Sequence, residues 1–290
     1  MSRDPIVIVA ARRTPLGAFQ GDLNAVSATD LSAAACRAAL GDSGLEAGAV
    51  DEVLLGCVLP AGLGQAPARQ AALAAGLPLG VPCTTINKVC GSGMKTTMLG
   101  HDLIAAGSAT VVMTGGMESM RTAPYLMPKA RSGYRMGHQE VLDHMFFDGL
   151  QNPYDGNMMG HFAELTADKY EFSREDQDAF AVESVTRART AAAEGRFANE
   201  IVPITVRTRK GEAIVSDDEG PRVANVEKIP TLRPAFRKDG TVTAASSSSI
   251  SDGAASLVLM RESDAVDKGI GILARIAGHS GFAHEPEWFT

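Results

Sequence analysis

Thr84-Thr85-Ile86-Asn87-Lys88-Val89-Cys90-Gly91-Ser92-Gly93-Met94-Lys95 joins a β-rich run to a helical window, with a cysteine at the joint. Thr84 to Val89 predicts a strand, and about Gly91 to Ala106, stopped by Gly107, predicts a helix. The same alternation repeats outward. Ile6 to Ala10 reads as a first strand, and Ser27-Ala28-Thr29-Asp30 offers a capping box for a helix running to Gly41. Val53 to Val58 reads as a second strand, Pro67 opens a short helix that Gly76 closes, and Thr110 to Thr114 follows as a fourth strand. Three βα units in a row predict an α/β fold whose strands run parallel and are joined by crossover helices.

The joint also has chemical meaning. A helix N-terminus presents unpaired N–H groups and a partial positive charge, which favour a thiolate and lower its pKa. The same N–H groups can hold the oxyanion that develops when a thioester is attacked. Gly91 and Gly93 remove side chains where substrate and backbone must approach closely. These residues leave two readings open, a nucleophilic Cys90 and a buried structural thiol at the start of a small-residue helix.

Composition narrows the class. The chain has 290 residues, 45% hydrophobic and 21% charged, enough for one large domain or two smaller ones, and disordered and fibrous classes are excluded. A formal charge of −7 argues against nucleic-acid partners, because non-specific affinity for phosphate comes from clustered Lys and Arg. The run from Ile6 to Ala11 is too short for a signal sequence, and no apolar stretch approaches the roughly 20 residues that span a bilayer. A cytoplasmic chain without membrane attachment is expected. Its four cysteines, Cys36, Cys57, Cys83 and Cys90, lack CxxC spacing and are expected as thiols. No HxxH or HExxH spacing occurs, so no metal is expected.

Past Met120 the texture changes. To about Ser249, Met, Tyr, Pro, His and charged residues mix without regular alternation, as in an inserted region. Within it Ser173 to Glu194 predicts a helix, with Ala181, Val185, Ala188 and Ala192 at helical spacing. Ala254 to Met260 then reads as a buried strand, and Ile272 to Ile276 opens another.

At this point the sequence resembles the thiolase family, of the acetyl-CoA acetyltransferase type. Val89 to Gly93 matches the family's VCGSG nucleophile motif, Gly115 to Met120 its GGME(S/N)M motif, and Arg13 to Pro15 its early RTP. Gly64 to Gln70, Met159-Gly160 with Ala163-Glu164, Leu232 to Phe236 and Ser251 to Ala255 match in order and spacing. The resemblance implies an αβαβα layered fold of two similar halves, with a loop domain inserted in the first half on the CoA-binding side. Residues 1–120 and 250–271 would form the N-terminal half, 121–249 the loop domain, and 272–290 the start of a C-terminal half that is mostly missing. It also implies that Cys90 is acylated by substrate, with CoA thioesters as substrates and no cofactor. By the same resemblance Met159 and Ser248 would lie along the pantetheine arm, Phe236 near the adenine, Arg222 on CoA, and Phe289 facing the acyl group. A homo-oligomer, dimer or tetramer, is implied as well.

The pattern is not followed throughout. Ser246 stands where many thiolases carry Asn, and Met158 where some carry His. The family draws an activating histidine from a GHP motif, an oxyanion-site asparagine from a NEAFA-like motif and a second cysteine from a CxG motif. None of the three occurs here, and His101, His138, His144, His161, His279 and His284 all stand in other contexts. A C-terminally truncated thiolase, nearly inactive in carbon–carbon chemistry by itself, is therefore expected, since each missing acid or base is worth about 10²- to 10⁴-fold. The competing expectation is a CoA-binding half that depends on a partner chain. Ketoacyl synthases are a remoter alternative, disfavoured by the Gly115 to Met120 match.

Overall fold

The computed structural model describes residues 4–209 and 211–290. In chain order the strands and helices are β1 Ile6–Arg13, β2 Gly17–Ala18, α1 Ala28–Ser43, β3 Glu52–Gly56, α2 Pro67–Ala75, β4 Cys83–Ile86, α3 Ser92–Ala105 and β5 Val112–Ser119. They continue with β6 Tyr125–Leu126, β7 Leu142–Asp143, α4 Met159–Tyr170, α5 Arg174–Ala193, β8 Ile204–Thr208 and β9 Gly211–Val215. α6 Glu219–Val223, β10 Ser251–Arg261, α7 Glu262–Asp267 and β11 Ala274–Arg275 complete the set. The chain separates into two compact units. Unit 1 holds the residues up to Ala123 with Ala198–Asp217 and Ser251–Ser280; unit 2 holds Pro124–Phe197, Asp218–Ile250 and Gly281–Thr290.

Unit 1 is built on a seven-stranded sheet of order β11-β1-β10-β5-β3-β4, with β2 on the end of β10. β3 pairs in parallel with β4 and β5, while β10 runs antiparallel to both β1 and β5. β1, β3, β4 and β5 therefore share one direction, as crossover helices require. β10 arrives from far along the chain and separates β1 from β5. α/β is the observed class, of mixed rather than purely parallel type.

Alternation along the strands divides the core. Val53 and Leu55 of β3 and Val258 and Met260 of β10 point to one face, with α1 residues Leu31, Ala35 and Ala39 and the α2 alanines. Leu54 and Leu259, their neighbours in sequence, point to the other, with Ile104 of α3. Helix starts follow the sequence signals, while α1, expected to run to Gly41, continues through it to Ser43. Ser27 Oγ accepts from the Asp30 N–H at 3.1 Å, Pro67 opens α2, and Gly44 and Gly76 close α1 and α2 in left-handed conformations.

Several expected strand ends are corrected: β1 runs past Ala10 to Arg13, β3 stops at Gly56 short of Val58, and β10 begins at Ser251 ahead of Ala254. The strand expected to reach Val89 stops at Ile86, because the Asn87 side chain accepts the Val89 N–H at 2.9 Å and turns the backbone out of the ladder. The strand expected over Thr110 to Thr114 begins at Val112 and runs on to Ser119, through Gly115 and Gly116. The glycines break the apolar pattern yet are needed by the pairing: a Cβ on Gly115 would lie 2.1 Å from the Ala255 carbonyl oxygen of β10. Gly115→Ala is accordingly expected to force β5 and β10 apart and destabilise by about 1–3 kcal/mol, read as a lower denaturant midpoint at unchanged slope.

The hairpin β8–β9, within the stretch read as one insertion, belongs to unit 1. It buries Ile204 and Val206 in that core and is tied to β1 by the Arg13 N–H to the Glu200 carbonyl at 2.8 Å. Unit 2 contains α4 and α5. Ser173 caps α5 through the Asp176 N–H at 3.0 Å, as its sequence predicts. Glu164 on α4 is fully buried, and its carboxylate accepts the N–H groups of Thr241 and Val242 at 2.9 and 3.0 Å.

Candidate active site

Cys90 stands between β4 and α3, at the tip of a tightly held elbow. Val89 adopts φ 47°, a left-handed conformation that a β-branched residue takes at a cost of about 1–3 kcal/mol. Three hydrogen bonds, made by two side chains, impose it. Asn87 Oδ1 accepts the Val89 N–H at 2.9 Å, Ser92 Oγ donates to the Val89 carbonyl at 2.6 Å, and Ser92 Oγ accepts the Lys88 N–H at 2.8 Å. Ser92, the first residue of α3, is buried, whereas Cys90 is exposed. The elbow thus lifts the thiol into solvent two residues before the helix, whose first N–H groups have no intrahelical acceptor.

The helix start is seated on the sheet by glycines. A Cβ on Gly56 of β3 would meet Ser92 Cβ at 2.7 Å and Gly93 N at 2.9 Å. Gly116 of β5 faces Gly93 Cα at 3.4 Å from its own ideal Cβ position. The crowding expected at Gly91 and Gly93 falls instead on Gly56, since Cβ atoms on those two would keep 3.5 Å or more from their neighbours. Thr96 adds a clasp, donating to the Gly115 carbonyl at 2.9 Å and accepting the Gly115 N–H at 3.1 Å.

The other quoted motifs hold the surroundings. Glu118 accepts the Val58 and Leu59 N–H groups at 2.8 and 3.1 Å, fixing the segment that follows β3. Gln70 donates to the Leu63 and Gln65 carbonyls at 2.8 and 2.7 Å, and Arg69 to the Leu79 and Val81 carbonyls. Thr14 Oγ1 accepts the Ala254 N–H at 3.0 Å, and buried Asp252, its carboxyl pushed up by burial, accepts the Arg121 N–H. Asn87, Val89, Ser92 and Glu118 stand within the quoted stretches, which by themselves assign these four side chains no role. Ser92 offered a signal, a hydroxyl at a helix start, but its partners lie in the elbow.

Burial separates the cysteines. It pushes the thiols of Cys36 and Cys83 up, and burial together with Glu118 pushes Cys57 up to about 12. At pH 8 only about one Cys57 in 10⁴ is then thiolate, the reactive form. Limiting iodoacetamide at pH 8 is expected to label Cys90 at least tenfold faster than Cys36, Cys57 or Cys83, read by peptide mass. Equal labelling of Cys57 and Cys90 would contradict this.

The remaining candidates fall in unit 2. Met159 opens α4, and the Phe236 ring closes over the next residue, where a Cβ on Gly160 would lie 2.2 Å from it. Phe289 packs edge to face on Phe162 of the same helix, ring centroids 6.0 Å apart. Ser248 is exposed in the segment before β10, and Arg222 is exposed on α6. The structure so gathers Met159, Phe236 and Phe289 about the first turn of α4.

A family model described as "Thiolase, N-terminal domain" matches residues 6–263. An acetyl-CoA acetyltransferase of Pseudomonas aeruginosa is 52% identical over 283 residues, 97% of this chain and 72% of the relative. An acetyl-CoA acetyltransferase of Schizosaccharomyces pombe is 45% identical over 292 residues, 100% of this chain and 74% of that protein. Acetyl-CoA acetyltransferase 1 of Arabidopsis thaliana is 46% identical over 288 residues, 98% of this chain and 69% of the relative. The mixed sheet, the cysteine elbow seated on it and the match over residues 6–263 agree: this chain belongs to the thiolase family.

Proposed function

We propose that the chain carries the acylation machinery of an acetyl-CoA C-acetyltransferase, which joins two acetyl-CoA into acetoacetyl-CoA and CoA or runs the thiolytic reverse. The observation that carries this reading is Cys90, the exposed cysteine of the four, lifted out by a strained elbow at the start of α3. The names of the relatives support the substrate.

In the first half-reaction the Cys90 Sγ adds to the thioester carbonyl of acetyl-CoA. The oxyanion so formed is stabilised by N–H groups at the α3 N-terminus, then collapses, breaking the carbon–sulfur bond to CoA. CoA leaves with the proton that Cys90 gave up, and acetyl remains on Cys90. In the second, a base removes a proton from the methyl carbon of another acetyl-CoA. That carbon attacks the acetyl-Cys90 carbonyl, and the cysteine thiolate is expelled. The histidines of unit 1, His101 and His279, do not serve as this base: His101 lies nine residues along α3 from Ser92, about 14 Å by helical rise. The acid and base are proposed to come from sequence beyond these 290 residues, in keeping with relatives of which the chain spans 69–74%, so that the chain alone is nearly inactive in carbon–carbon chemistry.

Unit 2 is proposed to hold CoA, Met159 and Ser248 along pantetheine, Phe236 near adenine, Arg222 on the nucleotide and Phe289 by the acyl group. A cytoplasmic homo-oligomer in fatty acid metabolism, without a cofactor, completes the reading. The resemblance supports the oligomer and the absence of a cofactor. No helix among the described residues is long and apolar enough to cross a membrane.

Incubating the chain with acetyl-CoA and mapping peptides by mass tests the acylation. One acetyl group on the Cys90 peptide, lost on adding excess CoA, is expected. Acetyl absent from that peptide, or spread equally over the cysteines, would overturn the proposal.

A further inference from the structure

At the far end of α3 from the elbow lies a second cluster, used by none of the chemistry above. The strand β11 pairs with β1, the Leu273 N–H donating to the Ile8 carbonyl and the Ile276 N–H to the Ile6 carbonyl at 2.9 and 3.0 Å. Ile276, like Leu99 and Leu103 of α3, packs against the smaller core cluster that contains Ile104. Three residues on, this places His279 over the last turns of α3, beside His101 and Asp102.

We propose that His101 Nδ1, Asp102 Oδ1 and His279 Nε2 form a binding site for a borderline divalent cation of the Zn²⁺ class. The three atoms form a nearly equilateral triangle: Nδ1 to Oδ1 is 3.0 Å, Oδ1 to Nε2 is 2.9 Å, and Nε2 to Nδ1 is 3.2 Å. Zinc bonds to nitrogen and carboxylate oxygen of about 2.0–2.1 Å, at tetrahedral angles, separate donors by about 3.3–3.4 Å. Closing around an ion thus requires movements of a few tenths of an ångström.

The protein alone uses these atoms poorly. Two ring nitrogens and one oxygen converge on a single point. At best two N–H groups crowd one carboxylate oxygen, and the nitrogen-to-nitrogen contact either repeats a donor or leaves a lone pair facing the carboxylate. A cation uses all three lone pairs at once. Two neutral imidazoles and a carboxylate match the ligand set of open zinc sites, in which the fourth position holds water or an exogenous ligand. The absence of HxxH spacing predicted no metal, but the third ligand here is 177 positions from Asp102 and comes through sheet pairing.

Titration of the chain with Co²⁺ and Zn²⁺ tests the site. Co²⁺ is expected to give visible absorption of tetrahedral strength with one ion per chain, displaced by Zn²⁺ and retained in Cys90→Ser. His279→Ala and His101→Ala are each expected to weaken Zn²⁺ binding at least tenfold, measured by competition with a chromophoric chelator, with the far-ultraviolet circular dichroism unchanged. Binding that survives the double variant His101→Ala/His279→Ala, or that vanishes in Cys90→Ser, overturns the site. So does wild-type binding no tighter than that of the double variant.

Discussion

Cys90→Ala is expected to reduce CoA release from acetyl-CoA on the order of 10⁴-fold or more, leaving only spontaneous thioester hydrolysis. The size of the effect follows from the reaction: without the thiol there is no atom to accept the acetyl group, and no other cysteine in the chain is exposed. Cys90→Ser should fare no better, because a hydroxyl in the same place ionises far less readily and leaves an ester that the second carbon nucleophile attacks more slowly. The measurement is a single-turnover burst of CoA detected with a thiol reagent, against which background hydrolysis is small. Stability should be unaffected, within about 0.5 kcal/mol, because the side chain is exposed and the elbow is held by Asn87 and Ser92. A Cys90→Ala chain that folds and still gives the burst would assign the nucleophile elsewhere.

Local signals in the sequence set much of this site. The cysteine between a β-rich run and a helix start, the cap at Ser27, Pro67 with Gly76, and the Ser173 helix all depend on neighbours within a few residues, and each lies where its sequence places it. What escaped depends on distant partners. Nothing within Ala254 to Met260 states that this strand runs antiparallel between β1 and β5; that follows from the directions of strands roughly 140 and 250 residues earlier. Gly115 and Gly116 interrupt an apolar pattern and so shortened the predicted strand, although their lack of side chains is what lets β10 and α3 approach. Val89 shows the same limit at the site. A β-branched residue predicts extended backbone, yet hydrogen bonds from Asn87 and Ser92 together outweigh that preference and set the turn that exposes Cys90. The His101, Asp102 and His279 cluster needed the β11 register, which no spacing rule contains.

Glu164→Ala is expected to destabilise unit 2 by about 3–5 kcal/mol, the range for deleting one partner from a buried charged network. Glu164 is fully buried on α4, and both of its oxygens are engaged, one by the Val242 N–H and the other by the Thr241 N–H, with Arg237 at 3.5 Å. Alanine would leave the Thr241 and Val242 donors facing a cavity, each costing about 1–3 kcal/mol unless water enters. Arg237 would be less affected, since Asp168 holds its guanidinium through two bonds of 2.6 and 2.9 Å. Glu164→Gln separates shape from charge: the amide fills the space but presents N–H to one backbone N–H, so an intermediate loss is expected. Fit at the other side of the carboxylate is equally close, for a Cβ on Gly240 would lie 2.0 Å from Oε1, and the segment that Glu164 pins continues into Ser248. Denaturant unfolding followed by the single tryptophan, Trp288, which stacks on Lys169 of α4 at 3.8 Å, reports on this unit directly. If Glu164→Ala unfolded at the wild-type midpoint, the carboxylate would not be what holds the 240–242 turn to α4. If it lowered the midpoint while Cys90 kept its acetyl burst, unit 2 would be shown to lose stability without the nucleophile elbow losing its form.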